Sequence, residues 1–238
     1  MAKQIVEMVV ESVKNESPDT KSVRLRWPEG YDVEFKTGQF ITIYWPEAPH
    51  YKRAYSLSSC ALDRGYYEVT VKREGKMGTR LVDWAMVGNR LCVIPPTGRF
   101  LPIYEPDAHL ICVAGGSGVT PFRGFMREAA LRKLSTRITV LYSVRAPEEV
   151  IFHQDFDTLV AENPQFKFLV TCTRLPEGHS WMGHRGRINA AWLQEQIVDR
   201  EHTFFYACGP NALVEGTRKI VCDELLFPKA QMHLEKWG

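Results

Sequence analysis

No run in this 238-residue chain approaches the roughly 20 consecutive apolar residues needed to cross a bilayer, so no membrane span is expected. The N-terminal apolar stretch of Ile5, Val6, Met8, Val9 and Val10 is broken by Glu7 and followed by Glu11, Lys14 and Glu16. It is too short and too charged for a secretory leader, and a cytoplasmic location is expected. The six cysteines are scattered, no two closer than fourteen residues, which excludes CxxC zinc clips, thioredoxin-type pairs and clustered iron–sulfur ligands. His179 and His184 stand five apart, off the i, i+4 spacing of a helical metal pair, so no metal site is expected. An excess of one charge is also lacking. The 30 Lys and Arg are interleaved with 28 Asp and Glu, without the basic stripe of a nucleic-acid binder.

What the chain does have is apolar material, 45% of its residues, enough for a globular protein. A chain of this length buries roughly three-quarters of its unfolded surface, and two domains of ordinary size fit it without staples. Up to about Tyr104 it reads as short apolar or alternating runs (IVEMVV, VRLRW, FITIYW, AYSLSS, YYEVTVKR, LCVIPP) separated by turn chemistry. These predict an all-β antiparallel barrel, interrupted by one helix around 78–86 with Leu81, Trp84 and Ala85 on one face. Past Pro106 the pattern changes. Apolar runs (HLICVAGG, RITVLYSV, FKFLVTCT, TFFYACG, QMHLEKW) alternate with segments of helical period, including NAAWLQEQIV and NALVEGTRKIVCDEL, which predicts an α/β domain on a parallel sheet. The division expected is 1–105 and 106–238.

Five constellations carry chemistry. Arg53-Ala54-Tyr55-Ser56 on a barrel strand sets a guanidinium and a phenol on one face, suited to gripping a phosphate and stacking on a flat ring, with Ser56 free for a polar ring edge. An edge strand with an exposed Arg53 and a packed Tyr55 would read the same. Val71 and Lys72 close another strand, and Gly75-Lys76-Met77-Gly78-Thr79 opens the helix that follows. Its unpaired N–H groups make a diphosphate site, although Gly and Thr are also ordinary helix caps. Gly115-Gly116-Ser117-Gly118-Val119-Thr120-Pro121 lies between a strand and a helix, as a dinucleotide requires. It differs from GxGxxG in having Pro121 at the third glycine, and no acidic residue ends the next strand, so a plain NAD dehydrogenase is the lesser reading. Tyr206-Ala207-Cys208-Gly209-Pro210-Asn211 ends a further strand and should face the same crevice, where Cys208 is either functional or an inert buried thiol. The tail Leu234-Glu235-Lys236-Trp237-Gly238 brings a carboxylate and an aromatic ring toward that crevice if it forms the last strand.

In this order the five motifs resemble the ferredoxin-NADP reductase family of flavoproteins, over nearly the whole chain. The resemblance implies FAD, with FMN less expected, in the barrel and NADPH or NADH on the α/β domain. It implies Arg53 on a flavin phosphate, Tyr55 stacked on the isoalloxazine and Ser56 near its N5. Val71, Lys72, Lys76, Met77, Gly78 and Thr79 would line the rest of the flavin, Gly78 standing where many members have Ser. Gly116, Gly118, Thr120 and Pro121 would hold the nicotinamide nucleotide, with Cys208, Gly209 and Pro210 closing the site. Ser56, Cys208 and Glu235 would be the catalytic group, Glu235 orienting Ser56 or the carboxamide or relaying a proton, and Trp237 would cover the flavin face. Thr173 and Arg174 resemble the pair that holds a 2′-phosphate, with Arg185 and Arg187 following, which favours NADPH. The activity implied is hydride transfer from NAD(P)H to flavin, then single electrons to a separate acceptor protein: a ferredoxin, a flavodoxin or an oxygenase component. No fused iron–sulfur domain is expected, and the electrons are expected to leave to a separate partner. Alternatives are a reductase of free flavins or ferric complexes, or a flavin-carrying subunit of a larger electron-transfer assembly.

Overall fold

The structure is a computed structural model that describes residues 4–237, Trp237 by its backbone alone. Six antiparallel strands form the first sheet: β1 (Val6–Ser17), β2 (Thr20–Arg26), β3 (Phe40–Tyr44), β4 (Arg53–Ser56), β5 (Tyr66–Lys72) and β6 (Arg90–Thr97). Their order is β4-β3-β6-β1-β2-β5. The two outer strands meet through a Leu57–Val69 bridge and the bond from Ser58 N–H to Glu68 O (2.8 Å), which closes the sheet into a barrel. Alternation along β5 explains what each residue does. Tyr67, Val69 and Val71 enter the barrel core, while Glu68 and Thr70 point outward and are nonetheless buried, because the second domain covers that face.

Helix α1 (Gly75–Trp84) follows β5 and starts three residues before the expected position. It buries Met77, Gly78, Leu81 and Val82. Trp84 corrects the expected face: the chain leaves the helix at Ala85, which is extended, and the indole is left 67% exposed. Gly78 is required by packing. A Cβ there would stand 2.5 Å from the carbonyl oxygen of Lys72.

The second sheet is parallel, formed by β7 (His109–Gly115), β8 (Arg137–Val144), β9 (Phe166–Cys172), the short β10 (His184–Arg185), β11 (Thr203–Pro210) and β12 (Met232–Trp237), in the order β10-β9-β8-β7-β11-β12. All seven residues of β7 are buried, as expected of a central strand covered on both faces. Helices α2 (Thr120–Leu131) and α3 (His153–Glu162) cover one face, and α4 (Ala190–Gln194) and α5 (Asn211–Arg218) the other. The segment expected to be helical through 198 stops at Gln194, where Gln196 and Ile197 take tighter i−3 bonds. Beyond α5 the coil widens to i−5 bonding over Lys219–Glu224. Successive strands fall on opposite sides of β7, so a crevice opens between the carboxyl ends of β7 and β11.

Buried ion pairs hold the two sheets together. Arg123 of α2 reaches Glu68 of β5 (2.7 Å), the carbonyl of Ser58 (3.0 Å) and Asp155 of α3 (2.6 Å), and Arg127 pairs with Asp63 (2.8 Å). Burial opposes ionisation of Glu68, but Arg123 and Arg24 hold its carboxyl below the usual range. The expected division at 105/106 lies in the segment between β6 and β7, where the Tyr206 hydroxyl donates to Leu101 O and accepts from Ile103 N–H. Among the described residues no helix is long and apolar enough to cross a membrane, and no group of three or more His, Cys, Asp or Glu could hold a metal ion.

Candidate active site

A cleft of ≈ 350 Å³ lies where the barrel meets the parallel sheet. The barrel lines it with Arg53, Ala54, Tyr55 and Ser56 of β4 and with Thr70, Lys72 and Glu74 on and after β5; the second domain adds Ser117 and Thr120. All four β4 residues line this cleft, which departs from strict alternation. The strand is a four-residue edge that turns at once into the Leu57 bridge. Burial raises the Tyr55 phenol well above its usual pKa, with the Arg53 charge opposing, so Tyr55 presents a neutral ring. Arg53 itself is exposed and makes no ion pair among the described residues. Lys72 is shared between Asp19 (3.6 Å) and Glu74 (3.7 Å).

The far wall comes from strand ends. Cys208 and Glu235 are register partners on β11 and β12, and Ser56 Oγ donates to Glu235 Oε2 at 2.9 Å, joining the two domains. The Cys208 thiol lies 3.8 Å from the same oxygen. Burial raises the Glu235 carboxyl above its ordinary pKa, while the Ser56 and Cys208 bonds draw it partly back. Burial also pushes the Cys208 thiol well up, and Glu235 adds to the effect, so this cysteine is a thiol and not a nucleophilic thiolate. Gly118 explains how the loop fits. A Cβ there would come within 2.1 Å of Cys208 O, so only glycine lets the turn after β7 cross the end of β11. The Thr120 hydroxyl donates to Ser117 O (2.7 Å) and fixes that turn where α2 begins, with Pro121 in its first turn.

The structure thus brings Arg53, Ala54, Tyr55, Ser56, Lys72 and Thr120 to one cleft, with Cys208 and Glu235 bonded to its edge. Val71 and Met77 point their side chains into the barrel core, so each has its main chain to offer a ligand. Lys76 lies apart from the lining, its ammonium on the Tyr51 hydroxyl (3.1 Å) and ring. Thr79 is exposed on α1. Gly116 has a positive φ of 53° with open space at its Cβ position. Gly209 and Pro210 end β11 beside Gly115. Thr173 spends its hydroxyl on Val144 O (3.1 Å), and Arg174 beside it is exposed. Arg185 is turned onto the carbonyls of His179 and Trp181. Trp237 pairs with Pro210 by its backbone, and its ring lies outside the described residues. Thr70 and Glu74 were missed from sequence, and Ser117 was read only as part of its glycine-rich turn. For Thr70 the available signal was strand period: it shares a face with Glu68 and Lys72.

Comparison with known proteins agrees with this two-part layout. Residues 7–101 match the family model of the oxidoreductase FAD-binding domain, and residues 112–219 that of the oxidoreductase NAD-binding domain. The chain is 28% identical over 208 residues to the glycine betaine monooxygenase reductase subunit of Chromohalobacter salexigens, covering 86% of this chain and 56% of that protein. It is 28% identical over 243 residues to the ferredoxin reductase component of the Mycobacterium tuberculosis 3-ketosteroid-9-alpha-monooxygenase (97% and 65%). The chain therefore spans between half and two-thirds of the length of these relatives. It is also 26% identical over 235 residues to ferredoxin–NADP reductase B of Sorangium cellulosum, covering 95% of each. Among solved structures, the FAD/NAD-binding domain of the Vibrio cholerae nitric oxide dioxygenase superposes with a TM-score of 0.85 at 26% identity, over 98% of both chains.

Proposed function

Because the chain belongs to the ferredoxin reductase-type flavoproteins, with an FAD-binding and an NAD-binding oxidoreductase domain, we propose that it oxidises NAD(P)H through FAD and passes single electrons to a separate protein acceptor. One observation carries the reading: a single cleft is walled by both domains, with the Ser56–Glu235 bond joining them at its edge.

The residues present fit FAD. Tyr55 offers a neutral aromatic face, and Arg53 a guanidinium, exposed and without an ion pair among the described residues, for a phosphate. Among the described residues no side chain caps the first turn of α1, which leaves its N–H groups to a diphosphate. Bound there, flavin supplies a hydride acceptor that releases electrons singly. The chain's own part is positioning and exclusion of water. Gly116, Gly118 and Thr120 form the backbone turn for the nicotinamide nucleotide. Glu235 holds the Ser56 hydroxyl in one direction by accepting its hydrogen bond at Oε2, and burial raises its own pKa above the ordinary carboxyl range. Arg174, exposed at the end of β9, would discriminate NADPH from NADH through the 2′-phosphate.

Anaerobic titration of the purified chain with NADPH and NADH separately, followed by absorbance, tests this. A flavin spectrum bleached by either coenzyme, with NADPH preferred and that preference lost in Arg174→Ala, is expected. A colourless protein that neither binds added FAD nor oxidises either coenzyme would overturn it.

A further inference from the structure

Thr70 is 4% exposed, lines the cleft, and takes part in a chain of hydroxyls with a fixed direction. Its Oγ1 lies 2.8 Å from Ser22 Oγ, its register partner across the β2–β5 pair. Ser22 Oγ in turn donates to Glu16 Oε1 at 2.9 Å. The Glu16 side chain, 4% exposed, also takes the Lys14 ammonium (3.3 Å) and, on its second oxygen, the Phe152 N–H that opens α3 (3.3 Å). A carboxylate surrounded by three donors accepts only. Serine has one hydroxyl proton, and here it goes to Glu16. The bond between Ser22 and Thr70 must therefore carry the proton of Thr70, which leaves only lone pairs on Thr70 Oγ1 toward the cleft.

Resting on the flavin reading above, we propose that Thr70 is an acceptor-only hydroxyl that selects a ring N–H of the flavin, and that Ser22 and Glu16 are positioning residues that set its polarity. The polar edge of an oxidised isoalloxazine alternates carbonyl oxygens with a single N–H, at N3. An acceptor-only group pairs with that N–H and repels the oxygens beside it, so it sets the register of the ring as well as adding affinity. Through Phe152, the same carboxylate ties this setting to α3 of the nucleotide domain.

The test is FAD titration of the full chain stripped of flavin, read by fluorescence. Thr70→Val should weaken binding about tenfold and Thr70→Ser by less than about twofold, since serine restores the acceptor. Ser22→Ala should weaken binding when Thr70 is present and add nothing to Thr70→Val, because its effect passes through the Thr70 proton. Unchanged affinity in Thr70→Val, an equal loss in Thr70→Ser, or the same Ser22→Ala factor in both backgrounds would overturn the inference alone. Wild-type chain that takes up no FAD would overturn the flavin reading, and this inference with it.

Discussion

Ser56 and Glu235 are 179 residues apart in sequence and 2.9 Å apart in space, the hydroxyl of a barrel strand donating to the carboxylate of the last strand of the parallel sheet. The bond places a buried carboxyl group where both domains meet, and it makes the pH behaviour of the chain sensitive to a residue on the opposite domain.

Burial raises the Glu235 pKa above the ordinary 4.5, and the Ser56 bond lowers it in part. A carboxyl that holds its proton more tightly when folded gives stability that is complete below the unfolded pKa and is lost as pH rises through the folded one. Melting temperature should therefore decline less steeply as pH rises above 4.5 for Glu235→Gln than for wild type. In Ser56→Ala the decline should move to higher pH. Three parallel curves would refute this.

Two glycines of one loop should respond differently. At Gly118 an added Cβ meets Cys208 O at 2.1 Å, so Gly118→Ala should destabilise the chain by about 3 kcal/mol and remove coenzyme binding. At Gly116 only the positive φ opposes a side chain, and Gly116→Ala should cost about 1 kcal/mol. Denaturant unfolding and coenzyme titration of both variants would check this; equal losses would refute it.

Arg123 bridges three groups and is nearly buried, 11% exposed against 9% for Glu68. Removing it leaves Glu68 with Arg24 as its one cation among the described residues, beside the Ser58 hydroxyl bond, and Arg123→Ala should lose about 3 kcal/mol in thermal or denaturant unfolding. The half-exposed Arg24 should matter much less, about 1 kcal/mol or below. Proteolysis between Thr97 and His109 should accelerate in Arg123→Ala, because the domains lose their buried tie. An Arg24→Ala loss as large as that of Arg123→Ala would contradict the assignment.

His109 opens β7 with Nε2 on Thr139 Oγ1 (2.9 Å), and its buried Nδ1 has no partner among the described residues. Burial, with Arg137 and Lys167 adding, depresses its pKa to about 4. The unfolded chain takes up the proton first, so this contribution is complete above the ordinary value of 6.5 and falls as pH drops toward 4. Between pH 7 and 5 the wild type should lose about 2 kcal/mol more stability than His109→Gln. Urea unfolding at the two pH values measures it, and an equal loss in both proteins would exclude the titration of His109 as the cause.

Much of the architecture was legible because its signals are local. Strand period and turn residues announce the barrel, and the turns at Gly115–Pro121 and Cys208–Pro210 sit at strand ends wherever those strands lie. Misreadings fall where local pattern is silent about depth. Trp84 has helical spacing with Leu81, yet the helix ends beneath it and leaves the indole exposed. Period assigns residues to the two faces of a strand. Only closure of the barrel decides which face is the core.

By itself the sequence determined the order of the elements, the glycine turns at the strand ends, and the neighbouring side chains of β4, since all of these depend on residues within a few positions of one another. Tertiary structure alone decided that Thr70 and Ser117 share a cleft, that Arg123 finds Glu68, and that Ser56 meets Glu235. Those partners are far apart in the chain, and hydrogen bonds act over about 3 Å, so only the packing of one domain against the other brings them within range.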